Sequence, residues 1–225
     1  MMNVLVIGAS RGLGLEFVAQ YRAEGAVVTA TARSEAGLVR LRALGATALR
    51  LDVADAASAA GLSGQIVGQT YDVAIVNAGV YGPRTQGLET PTEAVFDHVM
   101  HTNVLGPMRV LPQLMTVLAP GARLAVLSSQ MGSMAGRSTN AGWLYRASKA
   151  ALNSLLTDTA LALAQQPGSG LCVALHPGWV RTDMGGSNAD LEPARSVADM
   201  RRTLAGLTPE QHGAFLNHDG TPLPW

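Results

Sequence analysis

Short runs of β-branched and other apolar residues alternate along the chain with longer segments in which apolar positions recur every three or four residues. The short runs predict buried strands, and the longer segments predict amphipathic helices. The seven predicted strands span residues 3–7, 26–31, 47–51, 72–76, 124–128, 171–176 and 214–217. Strands that alternate with helices favour a parallel sheet covered by helices on both faces. Seven strands are too few for an eight-stranded barrel. The pattern therefore predicts an α/β fold with a doubly wound sheet of seven mainly parallel strands.

Capping residues mark the ends of the predicted helices. Ser34 precedes a helical segment that carries Leu38 and Leu41 on one face, and Gly45 follows that segment. Serine is a frequent N-cap, and glycine commonly ends a helix. The chain contains no internal repeat and no stretch with the composition of a linker. We therefore expect residues 1–225 to form a single domain, with its binding pocket at the carboxyl ends of the strands.

Composition and charge exclude several classes of function. Apolar residues make up 48% of the 225 residues, charged residues make up 14%, and the formal net charge is zero. This balance gives no basic surface, so we expect no nucleic-acid partner. The apolar run at residues 4–7 lacks a basic flank and meets a glycine at once, which predicts neither a signal peptide nor a membrane span. The single cysteine, Cys172, lies in an apolar run and forms no intrachain disulfide, as expected in a reducing cytoplasm.

A glycine-rich turn follows the first strand directly and leads into a helical pattern. It contains Gly8, Ser10, Arg11, Gly12, Leu13 and Gly14. Glycines let a backbone approach a pyrophosphate, and the N-terminus of the following helix offers unpaired N–H groups. The spacing brings the side chains of Ser10 and Arg11 within reach of a nucleotide. A strand-helix junction that needs glycine for packing alone is the alternative.

Two later positions bear on which nucleotide would bind. Where an acidic residue would accept a hydrogen bond from a ribose 2′-hydroxyl, the chain has Arg33, which favours a 2′-phosphate, with Arg11 as a second charge. The alternative for Arg33 is an exposed charge at the start of a helix. Asp52 and Val53 follow the third strand, where a carboxylate could accept a hydrogen bond from an adenine amino group. Asp52 or Asp55 could equally cap a helix.

The only lysine in the chain, Lys149, stands four residues after Tyr145, and the other fifteen basic residues are arginines. On a helix these two side chains share a face. We expect the Lys149 ammonium to favour tyrosinate and so to lower the Tyr145 pKa. The alternative is a solvated lysine that follows a tyrosine by coincidence.

The motifs together resemble the short-chain dehydrogenase/reductase family over essentially the whole chain, which implies a Rossmann fold that binds NADP(H). They occur in the family's order: the glycine turn, Asp52, Asn77-Ala78-Gly79, Asn103, Ser129, Tyr145 with Lys149, and Pro177-Gly178 with Thr182. Residues 128–133, 145–153 and 219–225 resemble its C-factor-like carbonyl reductase branch.

The resemblance implies a role for each motif. Asn77, Ala78 and Gly79 would brace the central strand beside the adenine ribose, and Pro177, Gly178, Val180 and Thr182 would hold the nicotinamide carboxamide. Tyr145 would transfer the proton, Ser129 would polarise the carbonyl oxygen, Asn103 would hold a relay water, and Lys149 would grip the nicotinamide ribose. Ser128 is the less favoured alternative to Ser129. The gap from Ser129 to Tyr145 is longer than is usual in the family, which leaves the pocket wall there open.

The sequence therefore predicts an NADP(H)-dependent oxidoreductase that acts on an apolar ketone or aldehyde, or on the corresponding secondary alcohol. Its expected substrate wall consists of Tyr81, Met131, Met134, Trp143, Trp179 and Met184. No metal site is expected. The family resemblance implies a homodimer or homotetramer formed through helices over residues 93–118 and 145–164. Leu152, Leu155, Leu156 and Leu163 predict more apolar surface on the second helix than one sheet contact requires. The alternatives are a non-catalytic NADP-binding signalling protein and a nucleotide-sugar epimerase, which would need a larger C-terminal domain.

Overall fold

A single seven-stranded sheet organises the protein. The computed structural model describes residues 1–166, 168 and 170–225. The strands are β1 (Asn3–Ile7), β2 (Val27–Ala32), β3 (Thr47–Arg50), β4 (Tyr71–Val76), β5 (Leu118–Leu127), β6 (Leu171–His176) and β7 (Phe215–Asn217). They lie in the order β3-β2-β1-β4-β5-β6-β7, and every pairing is parallel. The predicted doubly wound α/β sheet is confirmed.

Eight α-helices connect these strands within the described part of the chain. They are α1 (Gly12–Ala23), α2 (Glu35–Ala43), α3 (Ala56–Ala60), α4 (Leu62–Ile66), α5 (Glu93–Met100), α6 (Gly106–Met115), α7 (Trp143–Ala164) and α8 (Pro193–Ala205). A π-helical turn, His101–Leu105, joins α5 to α6, and short 3₁₀ turns cover Gln130–Gly132 and Pro209–Gln211. Ser34 caps α2 as expected, because its hydroxyl accepts a hydrogen bond from the backbone N–H of Gly37.

Alternating residues of the strands bury two separate apolar layers. Val4 and Val6 of β1 face the layer that contains the apolar residues of α1, α2 and α8. Leu5 and Ile7 face the opposite layer, which contains those of α4, α6 and α7. Adjacent residues of a strand point to opposite faces of a sheet, so each apolar strand needs helices on both sides. None of the helices in the described residues is long and apolar enough to cross a membrane.

Two predicted boundaries differ from the structure. The helix expected to run to residue 118 ends at Met115, and β5 begins at Leu118 instead of residue 124. Pro120 and Gly121 have the composition of a turn, yet they lie within this strand, where the pairing of β4 with β5 is irregular between Tyr71 and Val73. A bulge of this kind accommodates residues that a regular ladder would exclude.

The apolar residues of α7 are used differently from what the sequence suggested. Leu152, Leu155, Leu156 and Leu163 were expected to give this helix more apolar surface than one sheet contact requires, but Leu152, Leu156 and Leu163 are buried against the chain's own sheet, and only Leu155 is partly exposed. Three of the four leucines therefore offer no surface for subunit contact. The exposed apolar side chains of this side of the molecule are Leu161 of α7, Phe96 of α5 and Met108 of α6.

Candidate active site

A cleft of about 640 Å³ opens at the carboxyl ends of the strands. The strand order reverses between β1 and β4, which is where open α/β sheets bind ligands. The predicted site residues that line the cleft are Gly8, Ser10, Arg11, Gly12, Leu13, Arg33, Asp52, Val53, Asn77, Ala78, Gly79, Tyr145, Lys149, Pro177 and Thr182. The remaining predicted residues, Gly14, Asn103, Ser129, Gly178 and Val180, are not part of the lining. The structure therefore brings most of these distant segments to one cavity.

The glycine turn is packed tightly against the end of β4. Gly8 has a φ of +85°, and a Cβ there would lie 2.7 Å from the Ala78 backbone. A Cβ at Gly14 would overlap the Gly8 carbonyl oxygen, which also accepts a hydrogen bond from Asn77 Nδ2 at 2.6 Å. Packing alone therefore requires both glycines.

The N-terminus of α1 remains available for an anion. Its N-cap residue, Arg11, makes no side-chain capping hydrogen bond, and the first turn of the helix carries no acidic residue. The first N–H groups of a helix lack intrahelical partners and carry the positive end of its dipole. Because this end borders the cleft, the turn fits the pyrophosphate of a dinucleotide.

Arg33 lines the cleft. It is exposed and makes no ion pair in the part of the chain that the structure describes. Arg11 does not lie free beside it, because its guanidinium pairs with Asp183 at 2.7 Å. A different arginine approaches from α2: Arg40 Nε donates to the Ser10 carbonyl oxygen at 3.0 Å. No local pattern in the sequence predicts this contact, since it depends on how α2 packs against the glycine turn.

The two candidate aspartates separate into distinct roles. Asp55 caps α3, because its carboxylate accepts a hydrogen bond from the Ser58 N–H at 2.6 Å. Asp52 and Val53 line the cleft, and Asp52 Oδ1 accepts from the Ala54 N–H at 3.0 Å. Asp52 is therefore the carboxylate placed to meet a nucleotide.

Helix α7 carries Tyr145 and Lys149 into the floor of the cleft. The Lys149 side chain is 4% exposed, and its Nζ donates to the Leu127 carbonyl oxygen at 2.8 Å. Burial lowers the Lys149 pKa to about 8. An ammonium has three protons to donate, and this is its one hydrogen bond within the described residues. The arrangement fits a lysine whose other donors serve ribose hydroxyls.

The pKa of Tyr145 is governed by burial. Burial raises it to about 12, a hydrogen bond with Ser129 lowers it, and the neighbouring Tyr81 raises it. The expected control by Lys149 is not seen, because the ammonium is directed at the Leu127 carbonyl and lies 5.8 Å from the centre of the tyrosine ring. A phenol with a raised pKa stays protonated at neutral pH, as a proton donor must.

The two candidate serines also differ in the structure. Ser128 lines the cleft, but its hydroxyl donates to Asn153 Oδ1 and is occupied by that hydrogen bond. The hydroxyl of Ser129 accepts from the Met131 N–H at 3.1 Å and acts on the Tyr145 pKa. Ser129 is thus the serine whose hydroxyl faces the tyrosine.

Asn103 lies in the π-helical turn and is fully buried. Its Oδ1 accepts from the Val80 N–H and its Nδ2 donates to the Val80 carbonyl oxygen, each at 2.8 Å. Nδ2 also donates to the Ser148 hydroxyl at 3.0 Å. The side chain therefore fixes Val80, in the loop that follows β4. Its role in holding a relay water stays a prediction.

The segment after β6 is fixed by hydrogen bonds. The Ser196 hydroxyl of α8 donates to the Pro177 carbonyl oxygen at 2.6 Å, and the Thr182 hydroxyl accepts from the Gly185 N–H at 3.1 Å. This segment faces the glycine turn across the cleft, where Asp183 pairs with Arg11.

The expected substrate wall is realised in part. The Tyr81 ring stacks on Tyr145 with 4.5 Å between their centres, and Met131 lies beside the Tyr81 hydroxyl. Met184 lines the cleft. Trp143 instead lines a separate cavity of about 150 Å³, where its Nε1 donates to the Glu89 carbonyl oxygen.

A cleft with a glycine turn at one end and a serine, tyrosine and lysine at the other defines a nucleotide-binding oxidoreductase. Residues 2–192 match the short chain dehydrogenase family, and the protein belongs to that family. The predicted resemblance, including its C-factor-like carbonyl reductase branch, is confirmed.

Individual relatives agree with this placement. The C-signal protein of Myxococcus xanthus is 41% identical over 156 residues, which cover 68% of this chain and 92% of that protein. A short-chain dehydrogenase/reductase from Burkholderia multivorans with bound NADP is 32% identical, with a TM-score of 0.89 and coverage of 100% and 99%. The carbonyl reductase Sniffer of Drosophila melanogaster is 29% identical, with a TM-score of 0.89 and full coverage of both chains.

Proposed function

We propose that the protein is an NADP(H)-dependent oxidoreductase that reduces the carbonyl group of an apolar ketone or aldehyde, or oxidises the corresponding secondary alcohol. The observation that carries this proposal is the position of Tyr145 and Lys149 at the floor of the cleft that begins at the glycine turn, with the Ser129 hydroxyl, outside the lining, within hydrogen-bond reach of the tyrosine. We also propose a cytoplasmic location, since the chain's one cysteine is buried and free.

The proposed chemistry divides between the cofactor and the chain. When bound, NADPH supplies the hydride for the carbonyl carbon. Tyr145 gives its phenolic proton to the carbonyl oxygen, which becomes the alcohol oxygen, and Ser129 holds that oxygen by a hydrogen bond. Lys149 would bind the nicotinamide ribose through the ammonium protons that the Leu127 carbonyl oxygen leaves free. Asn103 would hold a water molecule through which a proton from solvent returns to Tyr145.

The choice of NADP(H) over NAD(H) rests on Arg33. No carboxylate occupies this position to accept a hydrogen bond from a 2′-hydroxyl and to repel a 2′-phosphate. The exposed Arg33 guanidinium and the nearby Arg40 provide positive charge instead. Bound NADP in the Burkholderia relative supports the same choice.

The apolar substrate class rests on the side chains around Tyr145. Tyr81 covers one face of the catalytic ring, Met131 lies beside Tyr81, and Met184 lines the cleft. Methionine adapts its shape to different apolar groups, which suits a broad range of ketones. The name of the Drosophila neighbour, a carbonyl reductase, supports this class.

The test is a panel of ketones and aldehydes assayed by loss of NADPH absorbance, with Tyr145→Phe as the matched control. We expect turnover by the unaltered protein and none by the variant, whose NADPH affinity should stay close to that of the unaltered protein because the ring still packs. Tight NADPH binding without turnover of any compound in either direction would favour the non-catalytic signalling protein instead.

A further inference from the structure

The wall segment, which we define as residues 130–142, connects Ser129 to the helix that carries Tyr145. An exposed connection of this length has no intrinsic reason to hold one position. Here, however, side-chain and backbone hydrogen bonds tie it to the rest of the molecule. Two sets of these bonds come from Arg146 and from Trp225, and one further bond joins the Gly142 N–H to the Thr85 carbonyl oxygen at 3.0 Å.

Arg146 directly follows Tyr145 in α7, and its guanidinium contacts the wall segment at three points. Nε donates to the Ala141 carbonyl oxygen at 2.9 Å, and Nη2 donates to the Thr139 hydroxyl at 2.9 Å. Nη1 donates to the Met131 carbonyl oxygen at 3.4 Å. One planar guanidinium thus spans both ends of the segment, which an ammonium could not do from a single point.

The contact at Met131 leads directly to Ser129. The N–H of Met131 donates to the Ser129 hydroxyl, while its carbonyl oxygen accepts from Arg146. The next residue, Gly132, packs so closely on α7 that a Cβ would lie 2.8 Å from the Lys149 backbone. The turn that carries Ser129 is therefore held against the helix that carries Tyr145 and Lys149.

The second tie fixes the middle of the wall segment. The Trp225 carbonyl oxygen accepts hydrogen bonds from the N–H groups of Met134 and Ala135 at 3.1 and 3.0 Å, and from the Ser133 hydroxyl at 3.2 Å. The Trp225 ring stacks on Phe215 of β7 with 5.3 Å between their centres. Since Phe215 is buried in the sheet, the tie is anchored to the core.

The charge of Arg146 is not matched by a carboxylate. The residue is 9% exposed, and no carboxylate lies within 4.0 Å of its guanidinium among the described residues. Burying a charge with only neutral partners costs stability. All three of its side-chain hydrogen bonds go to the wall segment, so the contacts that offset this cost are the ones that place the segment.

We propose that Arg146 is a positioning residue that sets the distance between the Ser129 hydroxyl and the Tyr145 phenol, with Trp225 as its second support. This inference rests on the proposed carbonyl reduction. Without Arg146, Ser129 still exists but no longer meets the carbonyl oxygen at the geometry that the tyrosine requires. Loss of catalytic geometry lowers kcat, whereas the cofactor end of the cleft is unaffected.

The experiment compares Arg146→Ala and Arg146→Lys with Arg137→Ala. Arg137 lies in the same segment, is exposed, and makes no side-chain hydrogen bond among the described residues, so its variant should behave like the unaltered protein. We expect both Arg146 variants to lose about tenfold to a hundredfold in kcat, because small misplacements of catalytic groups have effects of that size. Their Kd for NADPH, measured by fluorescence titration, should stay within about twofold of the unaltered value.

Chemical rescue separates positioning from a general folding role. Guanidinium ion, added well below denaturing concentrations, should restore part of the kcat of Arg146→Ala and should leave Arg137→Ala unchanged. If Arg146→Ala fails to fold, Thr139→Val removes one of the three acceptors and should lower kcat to a smaller extent. Trp225→Phe, which keeps an aromatic stack, should retain more activity than Trp225→Ala.

Two results would overturn the inference. One is a kcat of the folded Arg146 variants equal to that of the unaltered protein. The other is a parallel loss of NADPH binding, which would assign Arg146 to the fold as a whole. Inactivity of the unaltered protein on every ketone and aldehyde would instead overturn the proposed function, and so the two failures are distinguishable.

Discussion

Lys149, a single buried residue of the candidate active site, lowers the stability of the fold. Its pKa is lowered from 10.5 to about 8 by burial, which means that the charged form is held in the protein at a cost. A depression of this size corresponds to about 3 kcal/mol at neutral pH. The unfolded chain does not bear this cost, so the fold keeps the ammonium at the expense of its own stability.

We therefore predict that Lys149→Met raises the free energy of unfolding by about 3 kcal/mol at neutral pH, less the lost hydrogen bond to Leu127. Between about pH 8 and 10.5 the unfolded chain binds more protons than the native protein, so the unaltered protein gains stability as pH rises. The difference between the two proteins should therefore shrink across this range. Urea unfolding at several pH values measures it, and a difference that is constant with pH would contradict the prediction.

At the other end of the cleft, Arg33 decides between two cofactors. We predict that the unaltered protein binds NADPH more tightly than NADH and that Arg33→Asp reverses this preference. A charge-assisted hydrogen bond contributes roughly 1.5 to 3 kcal/mol, so losing the phosphate contact should cost about tenfold to a hundredfold in affinity. Fluorescence titration with both nucleotides provides the measurement. Arg42→Ala is the control, since Arg42 pairs with Glu35 outside the cleft lining.

At the scale of elements, the π-helical turn His101–Leu105 determines what Asn103 can do. A regular helix through residues 93–118 was expected, and Asn103 would then be an ordinary surface residue. The extra residue in the turn leaves Asn103 fully buried, with both ends of its amide bonded to Val80. π-helical turns are found mostly where function requires such a displacement.

We predict that Asn103→Leu lowers the free energy of unfolding by about 1 to 3 kcal/mol, because it removes two hydrogen bonds to the partly exposed Val80 backbone at about 0.5 to 1.5 kcal/mol each. It should also lower kcat. Asn103→Asp, which keeps one acceptor oxygen, should show a smaller loss. The control is His101→Ala in the same turn, where the side chain is exposed. Equal stability of Asn103→Leu and His101→Ala in urea unfolding would show the Val80 contacts to be unimportant.

Local patterns explain why some elements were predictable and others were not. The strands and the glycine turn follow from runs of neighbouring residues, and Tyr145 with Lys149 follows from one helical turn. The partners of Arg11, Arg40 and Arg146 were not predictable, because each depends on how separate elements pack. Arg11 and Asp183, for instance, lie 172 positions apart in the chain. The pKa of Tyr145 was mistaken for the same reason, since burial outweighs its neighbour in sequence.

At the scale of the whole molecule, α5, α6 and α7 cover one end of a sheet face and present apolar side chains outward. Leu161 is 62% exposed, Met108 is 51% exposed and Phe96 is 46% exposed. Large apolar residues that remain exposed on adjacent helices favour contact with another protein surface. These three exposed side chains, and not the buried leucines of α7, provide apolar surface for subunit contact.

We predict that the protein forms a homodimer or homotetramer through these helices. Light scattering at micromolar concentration should give at least twice the mass of one chain, 23.3 kDa. A charged residue at the contact should dissociate the assembly, so Met108→Asp is expected to lower the mass while Val39→Asp, on the opposite face, leaves it unchanged. A mass of one chain for the unaltered protein would refute the association.

The placement of the chain's one lysine has a practical consequence for following cofactor binding. Reagents that modify amines do not react with arginine, so on this protein Lys149, at the floor of the cleft, is the one side-chain target beside the exposed α-amino group. Because burial lowers the Lys149 pKa to about 8, a useful fraction of the amine is uncharged and nucleophilic under mild conditions. A bound dinucleotide would cover that amine. The rate of labelling at Lys149, read on the peptide that contains it, therefore counts empty clefts, and it can report affinity even before any substrate is known.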